Sequence, residues 1–160
     1  MIDKELQKRK HVVSVCFAYV KKLLWSKKRL AKLFPLTKRK ITSLTEEQDN
    51  DIESFLSRFS KLQDFAGAKL FPMLLYVFAP SQLEKLTFID QLNLLEKLNL
   101  IPSRQDWEAL RKIRNKLAHE YPEERSLHMD ELNEAYSAID KLFSFFEFVK
   151  KQLPKELLTE

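Results

Sequence analysis

The apolar positions of this chain recur at three- and four-residue steps, the spacing that puts side chains on one face of an α-helix. The first run of this pattern predicts a helix over residues 3–34, which Pro35 ends. Lysines and arginines fall largely on the opposite face, so the segment 1–36 is predicted to hold a basic amphipathic first helix. The polar residues 37–45 that follow are typical of a linker.

The second run of the pattern begins at Thr45-Glu-Glu-Gln48, a capping box whose side chains bond the free N–H groups of a helix start. Pro72 lies inside this long run. It should kink the helix or divide it in two, because proline lacks an N–H and its ring crowds the preceding turn. Residues 71–78 are apolar on all sides, which predicts a place in the core or at a subunit interface.

Three more helices complete the predicted fold. Thr87 is the expected cap of a short helix, and Ser103 is the expected cap of a helix over residues 104–121 that Pro122 stops. A last helix over residues 129–153 has an aromatic end that belongs in the core or at a dimer interface. The pattern therefore predicts an all-α fold, an up-and-down bundle of four to five helices.

Composition agrees with this class and excludes several functions. The 160 residues are 44% hydrophobic, enough for one domain over residues 1–160 with a core of its own. One glycine leaves no Gly-rich loop for a dinucleotide or a nucleoside triphosphate. A single cysteine, Cys16, allows neither a disulfide framework nor a multi-thiolate metal site. With no signal peptide or membrane span in the pattern, we expect a cytoplasmic protein.

The charge of the chain is unevenly distributed. Residues 1–40 carry a net charge of +11, whereas the other 120 residues carry −6. A concentrated basic segment favours a polyanionic partner, and nucleic acid is the first candidate. The plain alternative, about equally plausible from charge alone, is a solvated helix face. A helix lying on a membrane surface is a less favoured third reading, because a bundle needs the same apolar stripe.

The residues best suited to chemistry lie in one cluster near the end of the predicted helix 104–121. Arg114 and His119 are followed by Tyr121, and Asn115 comes directly after the arginine. On a helical wheel, a polar wedge from Arg114 to His119 borders an apolar stripe made of Trp107, Leu110, Ile113, Leu117 and Tyr121. One straight helix points Arg114 and His119 too far apart to hold one small group. A cleft, or two copies related by a two-fold axis, would have to bring them together, which favours a homodimer.

An arginine and a histidine in a basic cleft, without a set of metal ligands nearby, suit the cleavage of an RNA phosphodiester. The ribose 2′-hydroxyl attacks phosphorus, His119 transfers a proton, and Arg114 stabilises the charge on the phosphate. Asn115 is a candidate to orient His119. The candidate RNA-binding cations on the same helix are Arg111, Lys112 and Lys116. DNA would be spared because it has no attacking hydroxyl.

The plain reading of these residues stays open. Most helical arginine and histidine pairs are only surface charge, and Tyr121 could be a core residue whose hydroxyl reaches solvent. Asp64, at the edge of the apolar stripe of the second helix, is a candidate buried partner for Arg114, although the sequence does not establish that pairing.

The pattern Arg-Asn-x-x-x-His-x-Tyr over residues 114–121 resembles the HEPN superfamily, and more narrowly its HepT-like toxins. The similarity extends over roughly residues 1–150. Other segments that look similar to that group are Phe59-Ser-Lys-Leu-Gln-Asp64, Lys69-Leu-Phe-Pro72, Thr87-Phe-Ile-Asp-Gln-Leu-Asn93, Glu96-Lys97 and residues 107–121. The basic first helix departs in degree from the family pattern and could extend an RNA-binding surface.

The resemblance implies a metal-independent ribonuclease without a cofactor, dimerising through its motif helices, with Arg114 and His119 in a composite cleft. It also implies a partner, a minimal nucleotidyltransferase of the MNT type that acts as antitoxin. That partner would adenylylate Tyr121 and so exclude RNA by bulk and negative charge. One rival is a non-catalytic HEPN subunit that presents nucleotide to such a nucleotidyltransferase. Another is a helical scaffold without a ligand.

Overall fold

The computed structural model describes residues 1–119 and 122–158. All regular secondary structure in these ranges is helical, which confirms the predicted all-α class. A π-helical turn, Ala66–Leu70, joins the third and fourth α-helices, and 3-10 turns lie at Pro80–Gln82 and Pro122–Glu124. The α-helices are Ile2–Leu30 (α1), Lys38–Thr42 (α2), Glu46–Phe65 (α3), Phe71–Phe78 (α4), Phe88–Lys97 (α5), Arg104–Leu117 (α6), Met129–Gln152 (α7) and Lys155–Leu158 (α8).

The long helices run up and down. Arg29, near the end of α1, donates a 2.9 Å hydrogen bond to Asp51, near the start of α3. The ring of Tyr19, farther back along α1, packs on that of Phe65 at the end of α3. Contacts in this reversed order mean that α1 and α3 are antiparallel, as short connections between neighbouring helices favour.

The connection between α1 and α3 differs from the prediction at two points. The first helix ends at Leu30, short of the predicted Phe34, and a turn then buries Leu33, Phe34 and Leu36. The predicted polar linker contains α2, because the Thr37 side chain accepts a hydrogen bond from the Lys40 N–H and caps a helix there. Periodicity could not predict α2, since a helix of five residues is too short to show a stripe.

Pro72 divides the long second run, as predicted. The division takes the form of the π-helical turn Ala66–Leu70, whose wide backbone precedes the proline and continues directly into α4. A wider turn relieves the crowding that a proline ring imposes on the carbonyl four residues before it. Of the apolar stretch beyond, Phe71, Leu74 and Leu75 are buried, while Tyr76 and Phe78 are exposed.

The capping box predicted at the start of α3 is present. The Gln48 N–H donates to the Thr45 hydroxyl at 3.1 Å, and the Thr45 N–H donates to the Gln48 side chain at 3.0 Å. We expect Thr45→Ala to lower the free energy of unfolding by about 1 kcal/mol, because a free helix N–H loses its acceptor. Urea denaturation measures this change. Thr42→Ala at an exposed position in α2 is the control, and an equal loss there would contradict the capping role.

One cluster of buried apolar side chains joins the helices. The apolar stripe predicted for the first helix consists of Val13, Phe17, Val20, Leu24, Leu30 and Phe34. Most of it is buried, but Cys16 and Leu23 lie deeper than Leu24. Burial raises the pKa of the Cys16 thiol to about 12, so this cysteine stays protonated at neutral pH.

The exposed basic side chains of α1 and the turn after it include Lys21, Lys22, Lys28, Arg29 and Lys32. Within residues 1–119 and 122–158, no helix is long and apolar enough to cross a membrane.

Candidate functional site

Helix α6 holds most of the predicted site residues and is fixed by its buried face. The Ser103 hydroxyl caps its start by accepting a hydrogen bond from the Asp106 N–H at 3.2 Å. Trp107 is fully buried, and its ring packs edge-on against Phe71 with ring centroids 4.7 Å apart. Leu110 and Leu117 are also buried and Ile113 partly so, which confirms the described part of the predicted stripe. The stripe thereby fixes which side of α6 meets solvent.

Ion pairs to α7 set the register of α6. Lys116 lies 3.2 Å from Glu134, and Asp106 lies 3.0 Å from Lys141. Both pairs are largely exposed, so each contributes little stability, about 0–1 kcal/mol. Their order along the two helices nevertheless shows that α6 and α7 are antiparallel.

The end of α6 comes earlier than predicted. The helix was predicted to continue to residue 121, but its last residue is Leu117, and the Ala118 N–H bonds the Asn115 carbonyl in a tighter turn. His119 therefore lies in a turn rather than on the helix, and its side chain is exposed. Such tighter turns are common at helix C-termini, where they satisfy a carbonyl that has no partner further along the helix. Tyr121, the predicted modification site, lies outside the described residues.

The structure joins Arg114 to Asp64, the pairing that the sequence suggested without establishing it. Arg114 donates from Nη2 to Oδ2 of Asp64 at 2.9 Å. Arg111, one turn earlier on α6, donates from Nη1 to the other carboxylate oxygen at 2.6 Å. One carboxylate near the end of α3 thus holds two guanidinium groups of α6 side by side. We call Arg111, Arg114 and Asp64 the arginine cluster.

The arginine cluster keeps Asp64 ionised. Partial burial alone would raise the pKa of this carboxyl, but hydrogen bonds and charge from Arg111 and Arg114 outweigh it and lower the pKa. A lowered pKa in the folded state stabilises the fold above the unfolded pKa, and this contribution is lost as the pH falls through the folded value. The cluster is therefore fully charged at neutral pH, with two cations on one anion.

The remaining predicted site residues lie on the exposed side of α6 and just beyond it. Asn115 is exposed and accepts from Arg114 at 3.4 Å, so its contact is with the arginine rather than with His119. Lys116 is engaged by Glu134, whereas Lys112 is exposed and has no ion pair within the described ranges. His119 likewise makes no hydrogen bond with any residue whose placement is described. The imidazole is thus exposed to solvent five residues after Arg114 in the chain.

A cavity of about 300 Å³ adjoins the arginine cluster, and sequence reasoning did not find it. Asp64 and Arg111 form part of its wall, together with Gln63, Gly67, Ala68, Phe88 and Trp107. Gln63 is fully buried, although it is polar. Its position gave a signal: it follows Phe59 by four residues and precedes Ala66 by three, so a polar residue occupies the apolar stripe of α3.

The arrangement suits an anion that contacts the two guanidinium groups at one end and the imidazole at the other. Two guanidinium groups held by one carboxylate keep a net positive charge, and each retains N–H groups for a phosphate oxygen. An exposed imidazole is a group that can accept a proton from a ligand or donate one to it. Among residues 1–119 and 122–158, no three His, Cys, Asp or Glu side chains are grouped so that they could hold a metal ion.

Comparisons with known proteins identify no relative from which a function could be transferred. No family model matches the chain, and neither a curated protein nor a solved structure matches it.

Proposed function

We propose that this chain is an endoribonuclease that cleaves RNA through Arg114 and His119. The observation that carries the proposal is the arginine cluster with the exposed His119 beyond it, at the end of one helix. A fixed cation pair and a free imidazole supply two of the functions that phosphodiester transesterification requires of a protein, charge stabilisation and one proton transfer. Nothing in the reaction needs a metal ion or an organic cofactor.

The reaction consists of one displacement at phosphorus. The ribose 2′-oxygen loses its proton to a general base and bonds to phosphorus, and the bond from phosphorus to the 5′-oxygen breaks. The leaving oxygen takes a proton from a general acid, so the products are a 2′,3′-cyclic phosphate and a 5′-hydroxyl. Arg114 stabilises the added negative charge on the phosphate, and His119 performs one of the proton transfers.

The second proton transfer is the reason to propose a dimer. His11 and His128 lie outside the arginine cluster, and His128 is 3.7 Å from Glu124. A second copy of the chain, related by a two-fold axis, would supply another His119 to the same cleft. The exposed Lys112 and Asn115 lie on the open side of α6, where such a copy or the RNA would approach.

The resemblance to HepT-like toxins suggests the biological system in which this activity would act. We propose that the chain is the toxin of a HEPN/MNT toxin–antitoxin pair. Its antitoxin would be an MNT-type nucleotidyltransferase that binds the chain or adenylylates Tyr121. A nucleotide joined to Tyr121, two residues after His119, would bring a negatively charged phosphodiester to the end of the motif. Such a group would repel the RNA backbone.

A cleavage assay on labelled RNA in excess chelator tests the activity. We expect the purified chain to cut RNA with EDTA present, leaving a 2′,3′-cyclic phosphate, and to leave the DNA of the same sequence intact. A single 2′-deoxy substitution at the cut site should abolish that cut, because the attacking oxygen is gone. The other cuts in the same oligonucleotide are the internal control.

One outcome would contradict the proposed mechanism, and another would contradict the nuclease activity itself. Cleavage that survives the 2′-deoxy substitution would mean that water, rather than the ribose, attacks phosphorus. Binding of RNA without any cleavage would favour the rival function, a non-catalytic HEPN subunit that presents a nucleotide to a nucleotidyltransferase.

A further inference from the structure

We infer that the cavity beside the arginine cluster is a base-recognition site that takes one unstacked nucleobase of the RNA. The inference rests on the proposed function for the identity of the ligand. Its volume of about 300 Å³ is at the lower end for small-molecule pockets in proteins, which span about 300–1,000 Å³. Helices α3, α5 and α6 and the π-helical turn all contribute lining residues, so the site is built from several elements.

The strongest evidence is a set of buried polar atoms without partners. Within the described part of the chain, neither Nε2 nor Oε1 of Gln63 has a hydrogen-bond partner, and neither does Nε1 of Trp107. Both side chains are fully buried and both line the cavity. Buried polar groups in proteins are nearly always bonded, so three such atoms in two of the side chains that line one cavity fit a polar ligand there.

The kind of polar atom identifies the ligand class. The Gln63 amide offers one donor and one acceptor side by side, and the Trp107 indole adds a second donor. The edge of a nucleobase presents donors and acceptors at the same spacing, which is why glutamine amides bind bases through paired hydrogen bonds. A lipid or an aliphatic ligand would leave all three atoms unbonded.

The other lining residues fit a planar ring with a phosphate attached. Phe88 is an aromatic side chain with 43% of its surface exposed, and its ring passes over Gly67, within 3.6 Å of the point where a Cβ would lie. Single-stranded RNA is commonly read by stacking a base on such a ring. Arg111 joins the cavity to the arginine cluster, so a base inside would have its phosphate beside Arg111 and Arg114.

Entry of a base requires a side-chain movement, since the Gln63 amide is covered. Phe88 is the lining aromatic residue that is exposed, so we assign this movement to its ring. The base would occupy the space left by the displaced Phe88 ring and would then stack on that ring. The site would thus choose the nucleotide next to the phosphate that is cut.

Nuclear magnetic resonance of the indole N–H groups tests the inference on the full chain. The two tryptophans, Trp25 and Trp107, give two indole signals, and Trp25→Phe assigns them. We expect AMP, GMP, CMP and UMP to shift the Trp107 signal to different extents, while ribose 5-phosphate, which has no base, leaves it in place. An equal response to ribose 5-phosphate, or no shift with any monophosphate, would overturn the inference.

Gln63→Leu provides a second measurement. The leucine keeps much of the volume but removes both polar atoms, so the affinity for the preferred monophosphate should fall by about tenfold or more. Gln105→Leu, at an exposed position on α6 outside the cavity, is the matched control and should bind as the unaltered chain does. Equal affinity in both variants would overturn the base contact.

The two proposals fail separately. A chain that shows base-dependent shifts but cuts no RNA keeps the base site and loses the nuclease. If the chain cuts RNA but its Trp107 signal does not depend on the base, the nuclease proposal stands and the base-site proposal fails.

Discussion

Replacing His119 with alanine is expected to lower the rate of RNA cleavage by about 10²–10⁴-fold, the usual contribution of one proton-transferring side chain. The fold should be unaffected, because His119 is exposed and lies in a turn after α6. The rate is measured on labelled RNA under single-turnover conditions, so that slow product release does not hide the chemical step. The free energy of unfolding and the dimer mass are measured beside it.

Matched variants show whether the loss of cleavage rate is specific to the site. His128→Ala removes a histidine that lies beside Glu124 rather than at the arginine cluster, and it should leave the rate unchanged. Arg114→Ala should lose as much activity as His119→Ala, whereas Arg104→Ala at the other end of α6 should not. A normal cleavage rate in purified His119→Ala would end the catalytic assignment of this residue.

Mixing the two inactive variants tests the composite cleft. If one copy supplies Arg114 and the other supplies His119, a mixed dimer of Arg114→Ala and His119→Ala contains one Arg114–His119 pair across the two copies, although it lacks the second His119. Part of the activity should then return when the two inactive proteins exchange subunits. No return of activity, with mixed dimers shown to form, would place both residues of each site in one copy.

Much of this site could be predicted because helical periodicity is a local property. The buried face of α6, with Trp107 and Leu110, followed from spacing alone. Asp64 could be suggested as a partner for Arg114 because it lies at the edge of an apolar stripe. The geometry in which one carboxylate holds two arginines could not be predicted, since it depends on how α3 and α6 cross.

The errors of prediction arose at helix ends, which periodicity does not define. Helix α6 ends at Leu117, earlier than its apolar stripe predicts, and α1 ends where the chain turns to bury Leu33 and Phe34, a long-range packing effect. The cavity was missed for a different reason. Gln63 is a polar residue, and its burial shows that it nevertheless belongs to the apolar face of α3. A polar residue at a position of an apolar stripe can therefore indicate a buried site, as a sequence motif can.

The charge of the site is set by the arginine cluster rather than by the total charge of the chain. The segment 1–40 holds all of the excess positive charge, but part of it is neutralised locally, as Arg29 pairs with both Glu47 and Asp51. Surface cations raise the local concentration of RNA, whereas fixed guanidinium groups orient one phosphate. The proposed function depends on the orientation of one phosphate, and Asp64 provides it by holding the two guanidinium groups in place.

Asp64→Asn is expected to slow cleavage while strengthening RNA binding. The asparagine has the same shape, but it carries no charge and offers one acceptor oxygen where two arginines now bond two. Arg114 then loses its fixed orientation, and a misplaced catalytic group can cost up to about 10²-fold in kcat. Removing one anion from the cluster adds a net positive charge, so KM should fall by about two- to fivefold.

A fall in kcat together with a fall in KM separates this role from simple loss of structure, which would leave less active protein with an unchanged KM. The side chains of the cluster are partly exposed, so stability should change by no more than about 1 kcal/mol. Asp51→Asn, which removes an arginine partner near the start of α3, is the matched control and should leave both constants unchanged. Because the pKa of Asp64 is lowered, the effect should be constant across the neutral pH range. A higher kcat in Asp64→Asn would instead mean that Asp64 competes with the RNA phosphate for the two arginines.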